Sequence, residues 1–313
     1  MKFNKVNAVL FTLFCATLSN SFGNSQAEAA NIQLIGLTDN NSLVLFYPNN
    51  SSNTQTVGIT GISGNLVGID VRPADKKLYG VTDSNSIYTI DPSTGIAQLV
   101  MNPPTVPFTL NGTSFGVDFN PVPDRIRVVS DADQNLRLNP ITGGIALNPN
   151  TTPAIDVPLS YASGDPNAGA DPNIVAAAYT NNFAGTTTTT LFNIDSNLDI
   201  LVRQGGFNVP PGTPSPNDGQ LFTIGALGID FGSQGGFDIF SNGQDMAFAA
   251  SGSSLYSIDL TTGAATTLGT IGGSPNIVGL AARAVPEPGM VGSLMGFSVF
   301  AVFSRFFRRN ISH

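Results

Sequence analysis

The feature that most narrows the fold of this chain is an internal repeat. One copy reads Leu78-Tyr79-Gly80-Val81-Thr82-Asp83, then Ile87-Tyr88-Thr89-Ile90-Asp91-Pro92-Ser93-Thr94-Gly95, and closes on residues 96–100. A second copy uses residues 126–130, 136–143 and 145–147, and a third uses 247–250, 255–263 and 264–268. Looser copies cover 35–57 and 177–202, which makes five. A unit repeated at this spacing is one supersecondary piece that hides its apolar face only against its neighbours. Each copy alternates apolar and polar residues. Its Asp/Asn-x-x-Thr-Gly stretch sets a turn-capping side chain first and a glycine tolerant of positive φ last, which is hairpin chemistry.

A further strand precedes the hairpin in three copies, at residues 66–70, 115–119 and 227–231, each carrying Gly, then an aliphatic residue, then Asp. Four strands per copy make a propeller blade. The hairpin turns fall at Tyr47, Asp91, Asn139, Asp195 and Asp259, with extra length in Pro/Gly/Asn-rich stretches near 149–173 and 205–219. The first copy lacks a leading strand, whereas residues 276–283 match residues 65–72 position for position. A C-terminal strand that completes the first blade leaves no open sheet edge. The expected fold is therefore an all-β, five-bladed propeller closed by its last strand. A β-sandwich or open meander is the alternative that short strands also suit.

The Gly-Ile/Val-Asp strands, the segment Ile174-Val175-Ala176-Ala177-Ala178-Tyr179-Thr180-Asn181 and the Leu-Tyr-x-Ile-Asp hairpins together resemble a bacterial propeller-type family known as domain of unknown function 4394. The resemblance covers residues 31–284, implies the propeller and an exported setting, and brings no catalytic residues.

The two ends read as targeting segments. Lys2 and Lys5, an apolar run over 8–18 and the small-x-small site Ala27-Glu28-Ala29 form a secretory signal peptide over 1–29, cleaved by signal peptidase. That run is too short for the ~20 residues of a membrane span. At the other end, Val285-Pro286-Glu287-Pro288 is followed by an apolar stretch over 289–304 and by Arg305, Arg308 and Arg309. This order resembles the PEP-CTERM sorting signal of exported proteins in Gram-negative bacteria, which exosortase enzymes process. The apolar stretch reaches only about 24 Å at ~1.5 Å per residue, a short transmembrane helix suited to transient anchoring in the inner membrane. The expected division is thus signal peptide 1–29, propeller 30–284 and sorting tail 285–313, with the product on the cell surface or in the extracellular matrix.

Removal of both ends removes Cys15 and His313, which are the only cysteine and the only histidine. Thiol catalysis, disulfides and zinc sites with nitrogen or sulfur ligands are thereby excluded from the domain. Gly112-Thr113-Ser114-Phe115-Gly116 fits a nucleophile elbow, but no histidine is left to take the serine proton. Between residues 30 and 288 stand eight basic against twenty acidic residues, nineteen of them Asp. That charge disfavours nucleic acid as a partner.

Two groups of acids remain as candidates for a ligand or metal. Asp131 and Asp133 copy the opening of a calcium loop, although Leu136 stands where Gly is needed and Thr142 where a bidentate Glu is needed. Asp70, Asp118 and Asp230 close successive leading strands, which brings them toward one mouth of the channel, where they could hold calcium or a polar ligand. The competing expectation is that each caps the turn leaving its own strand. The expected function is a non-catalytic exported propeller that binds polysaccharide or a surface protein and needs no cofactor unless calcium. The alternative is a carboxylate-dependent glycosidase, which would need an Asp with a strongly raised pKa.

Overall fold

The computed structural model describes residues 31–100, 107–209 and 214–285. The expected signal peptide and the expected sorting tail beyond Val285, including Ala27, Ala29, Pro286 and the terminal arginines, lie outside the described residues.

Among the described residues every long element is a strand and no α-helix occurs. The first blade holds β1 (Asn31–Thr38), β2 (Ser42–Tyr47) and β3 (Asn50–Gly58). The second holds β4 (Leu66–Val71), β5 (Leu78–Thr82), β6 (Ser86–Ile90) and β7 (Ala97–Leu99). The third is β8 (Phe115–Asn120), β9 (Arg125–Ser130) and β10 (Asn135–Leu138). The fourth adds β11 (Ser160–Tyr161) to β12 (Ile174–Tyr179), β13 (Thr189–Asp195), β14 (Ile200–Val209) and β15 (Gln220–Ala226). The fifth is β16 (Gly236–Ser241), β17 (Asp245–Ser251), β18 (Ser254–Ile258) and β19 (Ala265–Thr270). Last comes β20 (Ile277–Val285), which pairs antiparallel with β1 from Asn31↔Val285 to Leu37↔Gly279 and forms the inner strand of the first blade. The chain is a closed five-bladed propeller, and the sandwich and the open meander are ruled out.

Alternation along the strands explains why the blades stack. Five apolar clusters lie one at each blade junction. Ile35, Leu43 and Leu66 belong to the junction of the first two blades, and Phe248, Leu255 and Leu280 to the junction of the last with the first. The same pattern holds for Val81 with Phe119, Val129 with Leu191, and Phe192 with Phe237. Each sheet thus buries both faces, and the non-directional apolar term is spread evenly around the ring.

Three expectations from the repeat need correction. The leading strand of the fifth blade is β16, not residues 227–231. There Gly228 (φ 73°) and Gly232 (φ 74°) bend the backbone, while Leu227 and Phe231 are buried in the junction core. Asp195 ends the second strand of its blade instead of the third. Its side chain caps Asn197 N–H, as Asp91 caps Ser93 and Asp259 caps Thr261, so the same turn chemistry sits one strand out of phase. Residues 145–147 form no strand: they pair through the bridge Leu138↔Ile145 and the bond from Ala146 N to Arg137 O, and the chain then runs into a loop that brings Asp156 to Arg127.

That loop meets a buried polar network. Arg127 on β9 is 1 % exposed and donates to Asp156 (2.8 Å), Asn135 (2.6 Å), Asn217 (2.7 Å) and the Tyr179 hydroxyl (3.2 Å). Arg137 closes on the same Asp156 carboxylate with two bonds of 2.7 and 2.9 Å. A buried guanidinium needs partners at this density, since an unpaired charge is expelled to water or neutralised.

Candidate functional site: a carboxylate hub in the central channel

The inner strands β4, β8, β12, β16 and β20 stand around the axis, and their start defines an upper end and their finish a lower one. At the upper end a cavity of about 330 Å³ is lined by Asp39, Asn65, Asp83, Thr113, Ser114 and Gln234, with Leu66, Val67 and Phe115 among its apolar walls. One step down, the channel shrinks to a void of about 10 Å³ bordered by Gly68, Gly116, Gly236 and Gly279. Glycine is required in this neck for close approach. A Cβ on Gly116 would sit 2.6 Å from Ala177 N, and one on Gly236 would sit 2.3 Å from Leu280 N. At the lower end a second cavity, about 320 Å³, is bordered by Lys76, Phe183 and Arg283.

Two residues beyond the neck glycines, Asp70, Asp118 and Asp238 turn carboxylates toward one another, with a ligand oxygen from each lying within 4.8 Å of the others. They are 1 %, 1 % and 0 % exposed, so the hub is sealed from bulk water. Its hydrogen bonds follow from the geometry of an inner strand, whose axial edge has no neighbouring strand and leaves N–H groups unmatched. Asp70 accepts from Phe119 N (2.7 Å) in the next blade, Asp118 from Tyr179 N (3.2 Å), and Asp238 from Ala282 N (2.5 Å). The equivalent positions in the other two blades are Ala178 and Ala281, which offer no oxygen. Asp238 therefore also takes its own neighbour Ile239 N (2.6 Å), and Asp70 takes Val71 N (2.5 Å).

Five inward N–H groups thus meet six carboxylate oxygens. The oxygen left over is Asp118 Oδ2, which is buried without a partner. Its carboxyl lies within hydrogen-bonding reach of Asp238, a bond that forms only when one of the two carries a proton.

Burial dominates the acidities. It raises Asp118 well above the usual carboxylate range, helped by the charges of Asp70 and Asp238. Burial and the charge of Asp238 raise Asp70 likewise, against two backbone N–H bonds that pull the other way. Burial pushes Asp238 up to about 7 although Ala282 and Ile239 N–H groups stabilise its anion. Three like charges in so small and dry a space cannot all persist without a compensating proton or cation.

Of the expected ring of Asp70, Asp118 and Asp230, the structure brings the first two together, buried below the neck and not at a mouth, and leaves the third outside. Asp230 is exposed in the loop before β16 and caps Gly232 N–H (3.0 Å), while Asp238 takes its place. The sequence carries the correct signal, because Gly236-Phe237-Asp238 repeats Gly68-Ile69-Asp70 and Gly116-Val117-Asp118, but Gly228-Ile229-Asp230 imitates it a few residues earlier. Asp230 thus caps its own turn, as the alternative expects, whereas Asp70 and Asp118 bridge to the next blade instead.

Asp131 and Asp133 belong to no such cluster: among the described residues Asp70, Asp118 and Asp238 are the one group of three or more acidic side chains whose oxygens converge. Asp131 accepts from Thr113 N (2.8 Å) and its hydroxyl, as Asp83 accepts from Asn65 N (2.8 Å), and each ties a loop to the strand before it. Asp133, at φ 60°, keeps one buried oxygen without a partner and is pushed up to about 6 by burial and by the charges of Asp171 and Asp195.

A closed five-bladed propeller whose inner strands are laced by buried aspartates is the class this fold and hub define. Residues 42–281 match the family described as Domain of unknown function (DUF4394), and the chain belongs to it. No protein with a curated description matches it.

Proposed function

We propose that the chain is an exported, non-catalytic propeller of the bacterial cell surface or extracellular matrix that binds polysaccharide at its upper mouth. The observation that carries the reading is the 330 Å³ cavity at that mouth. Side-chain oxygens and amides of Asp39, Asn65, Asp83, Thr113 and Gln234 surround apolar walls there, the mixture that hydroxyl-rich ligands require. Export rests on the sequence of the two ends. The sealed state of the hub supports a binding role over a carboxylate glycosidase, because a catalytic acid must reach its substrate.

The test is retention of the purified full-length chain on a panel of immobilised bacterial polysaccharides, with reducing ends assayed in parallel. Asp39→Ala and Gln234→Ala should each weaken retention by about tenfold, the loss expected for one or two hydrogen bonds, with no new reducing ends. Unchanged retention in both variants, or turnover of any polymer, overturns the reading. Export is tested separately with a Pro286→Ala/Pro288→Ala double variant, which should stay with the membrane; release equal to that of the parent would refute the sorting assignment.

A further inference from the structure

We propose that the hub formed by Asp70, Asp118 and Asp238 binds one calcium ion that ties three inner strands together around the axis. The donor set consists of carboxylate oxygens alone, which select a hard cation over zinc or copper. The spread of these oxygens, within 4.8 Å, suits ligands placed about 2.3–2.6 Å from a common centre.

Two further observations point to an occupant. The first is the count of donors and acceptors: five backbone N–H groups use five of six oxygens, and Asp118 Oδ2 remains buried with no donor. A buried anionic oxygen without a partner is among the most unfavourable groups a fold can retain. The second is space, since the neck void directly above has about 10 Å³, room for roughly one water-sized species. The void shares Phe115 and Gly235 with the lining of the upper cavity, and a water held there would complete the coordination that three side chains begin.

The two ways of neutralising the hub differ in what they do to its hydrogen bonds. Asp70 and Asp238 each accept N–H groups on both oxygens, which is the pattern of ionised carboxylates. A divalent cation lets all three remain ionised and keeps every one of those bonds. A proton on Asp118, donated to Asp238, satisfies Oδ2 but leaves two anions in the same dry space.

The experiment uses the full-length chain, freed of metal with a chelator and returned to metal-free buffer at neutral pH. Calcium per chain is counted by mass spectrometry after equilibrium dialysis, and melting temperature is followed against added calcium, with magnesium as the comparison. About one calcium per chain should be retained, and melting should rise by about 5–10 °C at a hundredfold excess over Kd. Asp118→Asn should lose both the bound ion and the rise. Asp230→Asn, in the exposed loop, should keep both.

The inference is overturned if the parent chain holds no calcium and shows no rise, or responds to magnesium but not to calcium. It is equally overturned if Asp118→Asn keeps the response, or if it melts at or above the parent in saturating calcium, because an amide then does the work of a shared proton. Should Asp118→Asn fail to fold, the calcium count of the parent chain decides.

Discussion

Gly236→Ala tests how tightly the axis is packed. A Cβ at this position would stand 2.3 Å from Leu280 N, 2.4 Å from Gly279 C and 2.6 Å from Leu280 Cβ, all on β20. Ordinary contact begins near 3.4 Å, so β16 and β20 must separate by about 1 Å. Two of the three obstacles are main-chain atoms, which cannot turn aside as a side chain can. β20 is also held in register with β1 over its whole length, so its displacement drags the first blade. Overpacking of this kind costs about 1–3 kcal/mol, and the rigid obstacle favours the upper part of that range. The lower entropy of an unfolded alanine returns about 0.5–1 kcal/mol, leaving a net loss of ~2 kcal/mol. For a domain of this size that corresponds to a fall in Tm of roughly 4–8 °C, measurable by circular dichroism and by urea titration at constant m. Gly58→Ala is the control, because nothing lies within 4 Å of its added Cβ. Equal melting of the two variants would refute the tight neck and, with it, the reason for glycine at Gly68, Gly116 and Gly236.

Asp156→Asn should lower unfolding free energy by about 3–5 kcal/mol in urea, because Arg127 is left buried opposite a neutral amide; a loss under ~1 kcal/mol would show that the network does not need the charge. Asp133 titrates near 6 when folded, above the ordinary carboxylate value, so the folded state holds its proton more tightly. Its own contribution to stability therefore declines as pH rises from about 4 to 6 and is level above that. Asp133→Asn, which tolerates the same positive φ, should flatten this slope and add no more than about 1 kcal/mol above pH 6, since much of the group meets solvent; urea midpoints across that range give the answer, and an unchanged slope would assign it elsewhere. A chain stopped after Val285 should fold, whereas one stopped after Pro275 loses β20, exposes the axial edge of β1 and strips Asp238 of Ala282 N–H. The shorter chain should be insoluble or melt at least about 10 °C lower, and equal melting would disprove closure by the last strand.

The architecture was readable because propeller blades are local. Alternation along residues 78–100 and 247–268 specifies hairpins without reference to distant parts, and the likeness of 276–283 to 65–72 states where the last strand must dock. Misreadings arose where a local signal recurs in two places. Gly-Ile-Asp at Gly228 and Gly-Phe-Asp at Gly236 carry the same chemistry, and only pairing with β17 selects the second. Asp195 caps a turn as Asp91 does, so turn chemistry alone could not tell the second strand of a blade from the third. The Arg127 network was invisible for a different reason. Asp156 and Asn217 reach it from 29 and 90 residues away, out of loops that carry no periodic pattern. Two of three hub carboxylates were legible from repeat position, but that they bridge neighbouring blades depends on the empty positions Ala178 and Ala281, which acquire meaning only in the ring.

Because Asn31 and Val285 are paired at the foot of the closing ribbon, the polypeptide arrives and departs about 5 Å apart on the underside of the disc. Both ends of the described chain therefore meet the disc at one place, on the side away from the upper mouth. The opening at the far side of the disc stays clear of that point.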